Sequence, residues 1–232
     1  MTDPRLQRLA RTLVHYCVAV REGDRVALPA SEAAAPLLRE VYREVLRAGG
    51  HPYPMVAVDG LDEILYAEAS DAQLDHVNAF DALARGELEG LIAMRGATNT
   101  RALSGVDPAR QRRRSQAYRP VQEASMARTA AGAFRWATTL YPTAAHAQDA
   151  EMSLADFEDF VFRATFSDEE DPVAAWRAVS QRQQRVVDWL KGRSEVVVQG
   201  PDVDMRLSIA GRTFINSDGR RNMPSGEIFT GP

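Results

Sequence analysis

The part of the chain richest in residues that could do chemistry is 214–232, FINSDGRRNMPSGEIFTGP. Its glycines and prolines interrupt regular structure, and one carboxylate, Glu227, follows a Pro-Ser-Gly turn and begins an apolar strand. A carboxylate held on a rigid element by a constrained loop suits a metal ligand. An exposed glutamate at a hairpin edge fits the same residues, so both interpretations stay open. A two-metal site needs several ligands around ions roughly 3.5–4 Å apart, so one carboxylate is not a site.

The cysteine and the histidines offer weaker candidates. Cys17 falls on the apolar stripe of a predicted helix, which indicates a buried structural thiol. His15 lies off that stripe and is expected at the surface, and His51 begins a predicted strand. His76 is placed in a polar helix turn and His146 in a loop. Their spacing forms no ligand cluster, so we expect solvated or hydrogen-bonded imidazoles rather than metal ligands.

Two charged runs have simpler explanations than binding sites. The basic run is interpreted as a solvated or ion-paired helix face rather than a nucleic-acid surface; it comprises Arg110, Arg112, Arg113, Arg114 and Arg119. The acidic run 168–171 could bind a cation, but a helix beginning just before Pro172 explains it more directly. The sequence contains no glycine-rich phosphate loop, no HExxH, no CxxC and no GxSxG, which disfavours a nucleotide-binding domain.

The elements that must position these residues alternate between short apolar strands and amphipathic helices over residues 1–193. The predicted strands are RVALPA, PMVAV, GLIAMRG and FRWATTLYP. The predicted helices cover the first 20 residues, a segment capped by Ser31 and stopped by Gly49-Gly50, and residues 61–78, 81–89, 107–131, about 153–165 and 172–191. This alternation predicts an α/β fold with an open, mostly parallel sheet flanked by helices.

The pattern changes in residues 194–232, which are short, β-branched and separated by turn signals. SIAGRTFIN predicts a hairpin with its turn near Ala210 and Gly211. Under 40 residues rarely build an independent core. We therefore divide the chain into an N-terminal α/β domain, 1–193, and the start of a truncated, β-containing C-terminal domain, 194–232. The chain is expected to be a fragment of a longer protein.

Composition bounds the class of protein and its partners. The 232 residues are 45% hydrophobic and 26% charged with a net charge of -4, as in a globular protein. No apolar run approaches a membrane span, and one cysteine makes no internal disulfide. We expect a cytoplasmic protein with neither a nucleic-acid nor a membrane partner.

An ordered series of segments resembles a known family, the M29 metalloaminopeptidases, also called thermophilic or type T and S aminopeptidases. NMPSGEIFTGP, preceded by GRTFINSDGR, is similar to the first metal-ligand motif of that family. The resemblance continues through EGDRVALPAS, PLLREVYREVLRAGGHPYP, EILYAEAS, NTRALSGVDPARQ, TLYPTAAHAQDAEMS, FEDFVFRA and DEEDPVAAW. It therefore covers almost the whole chain.

The resemblance implies a metal-dependent aminopeptidase that releases N-terminal amino acids from peptides by two-metal-assisted hydrolysis. It implies two divalent ions, Zn or Co with Mg or Mn as alternatives, peptide substrates and a homodimer. Of the family's metal ligands, only the first glutamate has a matching position, Glu227. The catalytic residues and the other ligands are expected beyond residue 232, so the chain by itself is expected to be inactive. The alternative is a non-catalytic α/β binding or dimerisation module derived from an aminopeptidase.

Overall fold

A five-stranded parallel sheet lies at the centre of the computed structural model, which describes residues 3–231. Its strand order is β2-β1-β3-β4-β8, and every pairing in it is parallel. The strands are β1 (Arg25–Ser31), β2 (His51–Ala57), β3 (Gly90–Arg95), β4 (Arg135–Leu140) and β8 (Asn222–Met223). The predicted α/β class with an open parallel sheet is confirmed.

Helices lie on both faces of this sheet. They are α1 (Pro4–Arg11, extended by a π-helical segment Thr12–Cys17), α2 (Ala35–Arg47), α3 (Leu61–Glu68), α4 (Asp71–Leu74), α5 (Ala79–Gly86), α6 (Pro108–Ala130), α7 (Ala144–Asp149), α8 (Leu154–Ala164) and α9 (Pro172–Leu190). Every helix in residues 3–231 is too short or too polar to span a bilayer.

Buried side chains pack on both faces of the sheet because strand side chains alternate between its faces. Val26 and Leu28 of β1 pack in the larger cluster with α1, α2, α8 and α9. Ala27, between them, packs in a smaller cluster with Leu91 of β3 and Ala84 of α5. Strands buried on both faces read as continuous apolar runs, which is why the sequence reveals them so clearly.

Side-chain caps fix several helix boundaries. Asp3 Oδ1 accepts from the backbone N–H of Arg5 at 2.8 Å at the start of α1. Ser153 Oγ accepts from the N–H of Asp156 at 3.1 Å at the start of α8. These caps supply acceptors for N–H groups that have no partner inside a helix. Ser31 does not cap: it ends β1, and its side chain makes no capping bond to the 3-10 turn Glu32–Ala34.

Several predicted helix boundaries are wrong. The helices predicted over 61–78 and 81–89 are three shorter ones, because Ser70 and Asn78 cap new starts at α4 and α5. The first helix ends at Cys17 rather than near residue 20. His146 lies in α7, capped by Thr143, rather than in a loop, and His76 lies in the loop after α4.

The C-terminal strands pair differently from the predicted hairpin. The hairpin joins β5 (Glu195–Gly200) to β6 (Val203–Ser208), so its turn is at residues 201–202 and not near Gly211. The next strand, β7 (Ile215–Ser217), pairs antiparallel with β9 (Glu227–Phe229). Between them, β8 extends the main sheet beside β4. The division of the chain at residue 193 stays a prediction.

Candidate functional site

Glu227, the candidate metal ligand, is the first residue of β9 and lies opposite Ser217 of β7. Its side chain is exposed, while its backbone carbonyl accepts a hydrogen bond from the buried side chain of Gln183. The glutamate therefore stands at a strand start on a fixed backbone, as the sequence analysis anticipates for this position. Whether it binds a metal ion stays a prediction.

A buried glutamine of α9 holds the backbone on both sides of this position. Gln183 Nε2 carries two N–H groups and lies within hydrogen-bond distance of three acceptors: Asn216 Oδ1 at 2.9 Å, the carbonyl of Ser217 at 3.1 Å and the carbonyl of Glu227 at 2.9 Å. Asn216 Nδ2 in turn donates to the carbonyl of Ser180 at 2.9 Å. One helix thus fixes both strands of the small sheet. A buried amide without hydrogen-bond partners destabilises the folded protein, so these bonds hold the two strands in place.

The loop between β7 and β8 is anchored to the first helix. Tyr16 donates to the carbonyl of Asp218 at 3.0 Å, and Cys17 Sγ donates to the carbonyl of Gly219 at 3.2 Å. Burial raises the pKa of Tyr16 to about 12 and raises the pKa of the Cys17 thiol well above its usual range. Both groups are therefore held protonated. The predicted role of Cys17 as a buried thiol is confirmed.

Gly219 is required where this loop crosses α9. Its φ is +88°, and a Cβ built there would lie 2.8 Å from Cε3 of Trp176. A side chain would therefore meet both backbone strain and an indole ring that is itself buried. The close approach keeps the chain against the core just before β8.

The donor set in the described residues does not fit a metal pair. In residues 3–231, no three or more His, Cys, Asp or Glu side chains come together in a group that could hold an ion. His15 Nε2 lies 2.8 Å from Glu44 Oε1, and His146 Nδ1 lies 2.8 Å from Thr143 Oγ1. His51 begins a strand, β2, as predicted, and that strand lies at the edge of the sheet. Glu227 is therefore one carboxylate without a complete site around it.

The two charged runs behave as helix features. Arg113 makes ion pairs of 2.6 Å with both Asp71 and Asp75, and its guanidinium lowers the pKa of the Asp75 carboxyl. Arg119 pairs with Glu123 one turn away at 2.7 Å. These contacts agree with the prediction of an ion-paired helix face. In the acidic run, Asp171 caps α9, as its place before Pro172 predicts.

A concave region that the residue patterns did not reveal lies at the carboxyl edge of the sheet. Ser31 at the end of β1, Arg95 at the end of β3 and His146 of α7 line it, with Asp81 of α5. These residues are far apart in the chain and belong to no motif. Only the strand order, in which β1 lies between β2 and β3, brings them to one edge.

Comparison with known proteins places this α/β architecture in a family. Residues 2–232 match the model of the thermophilic metalloprotease family M29. The chain belongs to this family.

The relatives show how much of a family member the chain represents. It is 27% identical to aminopeptidase 2 of Geobacillus stearothermophilus over 99% of this chain and 61% of that protein. It is 25% identical to aminopeptidase T of Thermus thermophilus, over 98% of this chain and 61% of the relative. The chain thus spans about 61% of the length of the curated relatives it matches.

Solved structures share the fold. Wild-type AmpT from Thermus thermophilus superposes with a TM-score of 0.79 at 21% identity, over 98% of this chain and 61% of that one. A 2,5-dihydroxypyridine dioxygenase from Pseudomonas putida superposes with a TM-score of 0.51 at 12% identity, over 98% of this chain and 55% of that one. At these identities the likeness defines architecture and not activity.

Proposed function

We propose that this chain forms the N-terminal α/β part of a metal-dependent aminopeptidase and contributes Glu227 as a ligand to one of two divalent ions. The family match over residues 2–232 is the observation that carries the proposal. The reaction is the release of N-terminal amino acids from peptides by hydrolysis. Zn or Co is the proposed metal, with Mg or Mn as alternatives, and the enzyme is proposed to be a homodimer.

The chain's own contribution is positional. The carbonyl of Glu227 accepts from Gln183 of α9, and Ser217 opposite it is held by the same amide. A ligand on a backbone fixed by a buried side chain is positioned before an ion binds, so only its exposed side chain has to be ordered on binding. Residues 3–231 hold no group of three suitable side chains, and we propose that the remaining ligands of the metal pair lie outside them.

The test uses the product of the complete reading frame from the source gene. We expect it to hydrolyse an aminoacyl p-nitroanilide, to lose that activity in a chelator and to regain it with Zn or Co. Glu227→Ala is expected to lower both the number of bound ions, measured by elemental analysis, and the activity. The matched control is Glu68→Ala, since Glu68 is exposed at the end of α3. Wild-type metal content and turnover in Glu227→Ala would remove Glu227 from the proposed site.

A non-catalytic α/β binding or dimerisation module is the second candidate. The observation in its favour is that the described residues assemble no metal-ligand group. It predicts that the complete product binds no divalent ion stoichiometrically and hydrolyses no aminoacyl substrate, yet sediments as a dimer. Chelator-sensitive turnover excludes it, and sedimentation equilibrium tests the homodimer in either case.

A further inference from the structure

The carboxyl edge of the parallel sheet carries a groove of about 770 Å³. In chain order the structure builds β1, then β2 on one side of it, then β3 on the other, so the winding reverses between β1 and β3. Open α/β sheets bind ligands outside the carboxyl ends of their strands at such a reversal. Ser31, which ends β1, and Gly96, which directly follows β3, both line the groove.

The floor of the groove is apolar. It consists of strand residues on the sheet face that carries the smaller core cluster, among them Pro29, Met55, Ala93 and Leu140. That cluster is small, and the same face remains open toward the carboxyl edge. An apolar group of a ligand laid on this floor would remove apolar surface from water, which is favourable by roughly 25 cal/mol per Å².

Two hydrogen-bond donors line the groove without protein partners. Arg95 ends β3 with an exposed guanidinium that has neither an ion pair nor a side-chain hydrogen bond within residues 3–231. The Ser31 hydroxyl oxygen is buried and likewise has no partner in the described part of the chain. A buried hydroxyl without a partner is costly, so rotation of the Ser31 side chain toward a ligand oxygen in the groove would be stabilising. A carboxylate is the ligand group that suits a guanidinium and a hydroxyl together.

Two acceptors line the same groove. Asp81 is held by Tyr118, whose hydroxyl lies 3.1 Å from Asp81 Oδ2 and accepts from the N–H of Asn78 at 3.1 Å. That arrangement leaves Oδ1 of Asp81 available. The carboxylate suits a cationic donor on a ligand.

His146 is the second acceptor, and its tautomer follows from its neighbours. The Thr143 hydroxyl donates to the carbonyl of Ala97 at 2.6 Å, so it receives a proton from His146 Nδ1 at 2.8 Å. A neutral imidazole then presents Nε2 as an acceptor. The groove thus offers an apolar floor, donors for an anion and acceptors for a cation.

We propose that this groove binds a free α-amino acid with an apolar side chain. The carboxylate is bound by Arg95 and Ser31, the ammonium group by Asp81 and His146, and the side chain lies on the floor beside Ala93. Glu227 takes no part in this site, so the inference does not depend on the proposed peptidase activity.

Calorimetric titration of the protein in a chelator-containing buffer tests the proposal with three ligands. L-leucine is expected to bind saturably in the millimolar range or below. 4-Methylpentanoate lacks the ammonium group and leucinol lacks the carboxylate, so each is expected to bind about tenfold more weakly, or weaker still.

Two variants test separately how the carboxylate and the ammonium group of the ligand are bound. Arg95→Gln is expected to weaken leucine and 4-methylpentanoate by about tenfold and to leave leucinol unchanged. Asp81→Asn is expected to weaken leucine and leucinol and to leave 4-methylpentanoate unchanged. Arg112→Gln is the matched control, since Arg112 is an exposed arginine of α6 that does not line the groove. Melting curves establish that each variant is folded.

Absence of saturable leucine binding by the wild-type protein overturns the proposal. So does wild-type affinity for leucine in a folded Arg95→Gln variant. If Asp81→Asn fails to fold, Arg95→Gln still decides, because the exposed Arg95 side chain has no hydrogen bond or ion pair to lose within residues 3–231. Because no metal or peptide substrate is present, this experiment fails or succeeds separately from the aminopeptidase assay.

Discussion

The side-chain amide nitrogen of Gln183 lies 2.9 Å from the backbone carbonyl oxygen of Glu227. Gln183 is buried in α9, a helix that packs on the main sheet through Trp176 and Val179. The backbone of the candidate metal ligand is therefore tied to the core of the α/β layer and not only to its own small sheet. A substitution in α9 is therefore expected to shift the backbone of Glu227 without contacting its carboxylate.

Removing the Gln183 amide is expected to destabilise the protein. Gln183→Ala removes the side-chain donor to the Glu227 carbonyl and to the Asn216 amide oxygen, at a cost of about 1–3 kcal/mol. The Ser217 carbonyl keeps the backbone N–H of Gly226 at 3.0 Å. Urea unfolding followed by circular dichroism measures the change. Gln181→Ala, at an exposed position of the same helix, is the control and should stay within about 0.5 kcal/mol of wild type. Equal stability of the two variants would contradict the structural role of Gln183.

Gly219→Ala is expected to be more destabilising than Gly211→Ala. Both glycines have positive φ, +88° and +72°, so both substitutions carry backbone strain of about 1 kcal/mol. Only at Gly219 would the new Cβ also meet Trp176, at 2.8 Å, whereas Gly211 has open space. Overpacking adds about 1–3 kcal/mol at Gly219. The difference between the two unfolding free energies measures the close approach, and a difference of zero would show that the loop moves away without cost.

Cys17 is expected to react slowly with a thiol reagent in the folded protein. Its side chain is 8% exposed, burial raises the pKa of the thiol, and its proton is donated to the carbonyl of Gly219. The thiolate is the reactive form. Disulfide exchange with dithiobis(nitrobenzoic acid) at pH 8 should be at least about tenfold slower in buffer than in urea, equivalent to ~1.4 kcal/mol of opening free energy. Equal rates would place Cys17 outside the core.

The ion pair between Arg25 and Glu89 predicts a pH dependence of stability. The Arg25 guanidinium, which bonds the carboxylate at 2.8 Å, lowers the pKa of Glu89 from its usual 4.5 to about 2. A carboxyl with a depressed folded-state pKa stabilises the protein above its unfolded pKa. This contribution is therefore complete above about pH 4.5 and is lost as the pH falls toward 2. Because the side chain is 34% exposed, solvent screens the pair and the effect is small.

Comparison of the wild type with Glu89→Gln measures this contribution. The stability difference from urea unfolding should be positive at pH 7 and should shrink as the pH is lowered through 4.5 toward 2. Glu68→Gln, at an exposed position, gives the control for removing one negative charge. A difference that is the same at pH 7 and pH 3 would mean that the pair does not shift the pKa of Glu89.

The elements that the sequence predicts well are those that depend on interactions between residues close together in the chain. The three inner strands, β1, β3 and β4, were identifiable as apolar runs, because a parallel sheet covered on both faces admits few polar side chains. The caps at Asp3, Ser153 and Asp171 are also local, because a capping bond joins residues only two or three positions apart. The misplaced boundaries near Ser70 and Asn78 are also local, since those caps compete with a helical pattern that otherwise continues.

Such local patterns do not predict which strands pair when they are far apart in the sequence. The prediction of a hairpin near Gly211 failed because β7 pairs with β9, across a loop that dips into the core at Gly219 and adds β8 to the main sheet. Local sequence preferences do not predict β8, because this strand has two residues and is stabilised by its pairing with β4. The tie between Gln183 and Glu227, 44 residues apart, has the same origin.

The sequence by itself thus determined the α/β class, the family resemblance and the candidate role of Glu227, because each rests on short-range patterns of residue type. Only the tertiary structure decided which residues share a surface. Ser31, Asp81, Arg95 and His146 line one groove because the strand order reverses beside β1, and that order is set by how whole helices pack on the two faces of the sheet. Because this packing depends on contacts between whole layers, it cannot be predicted from any single segment of the sequence.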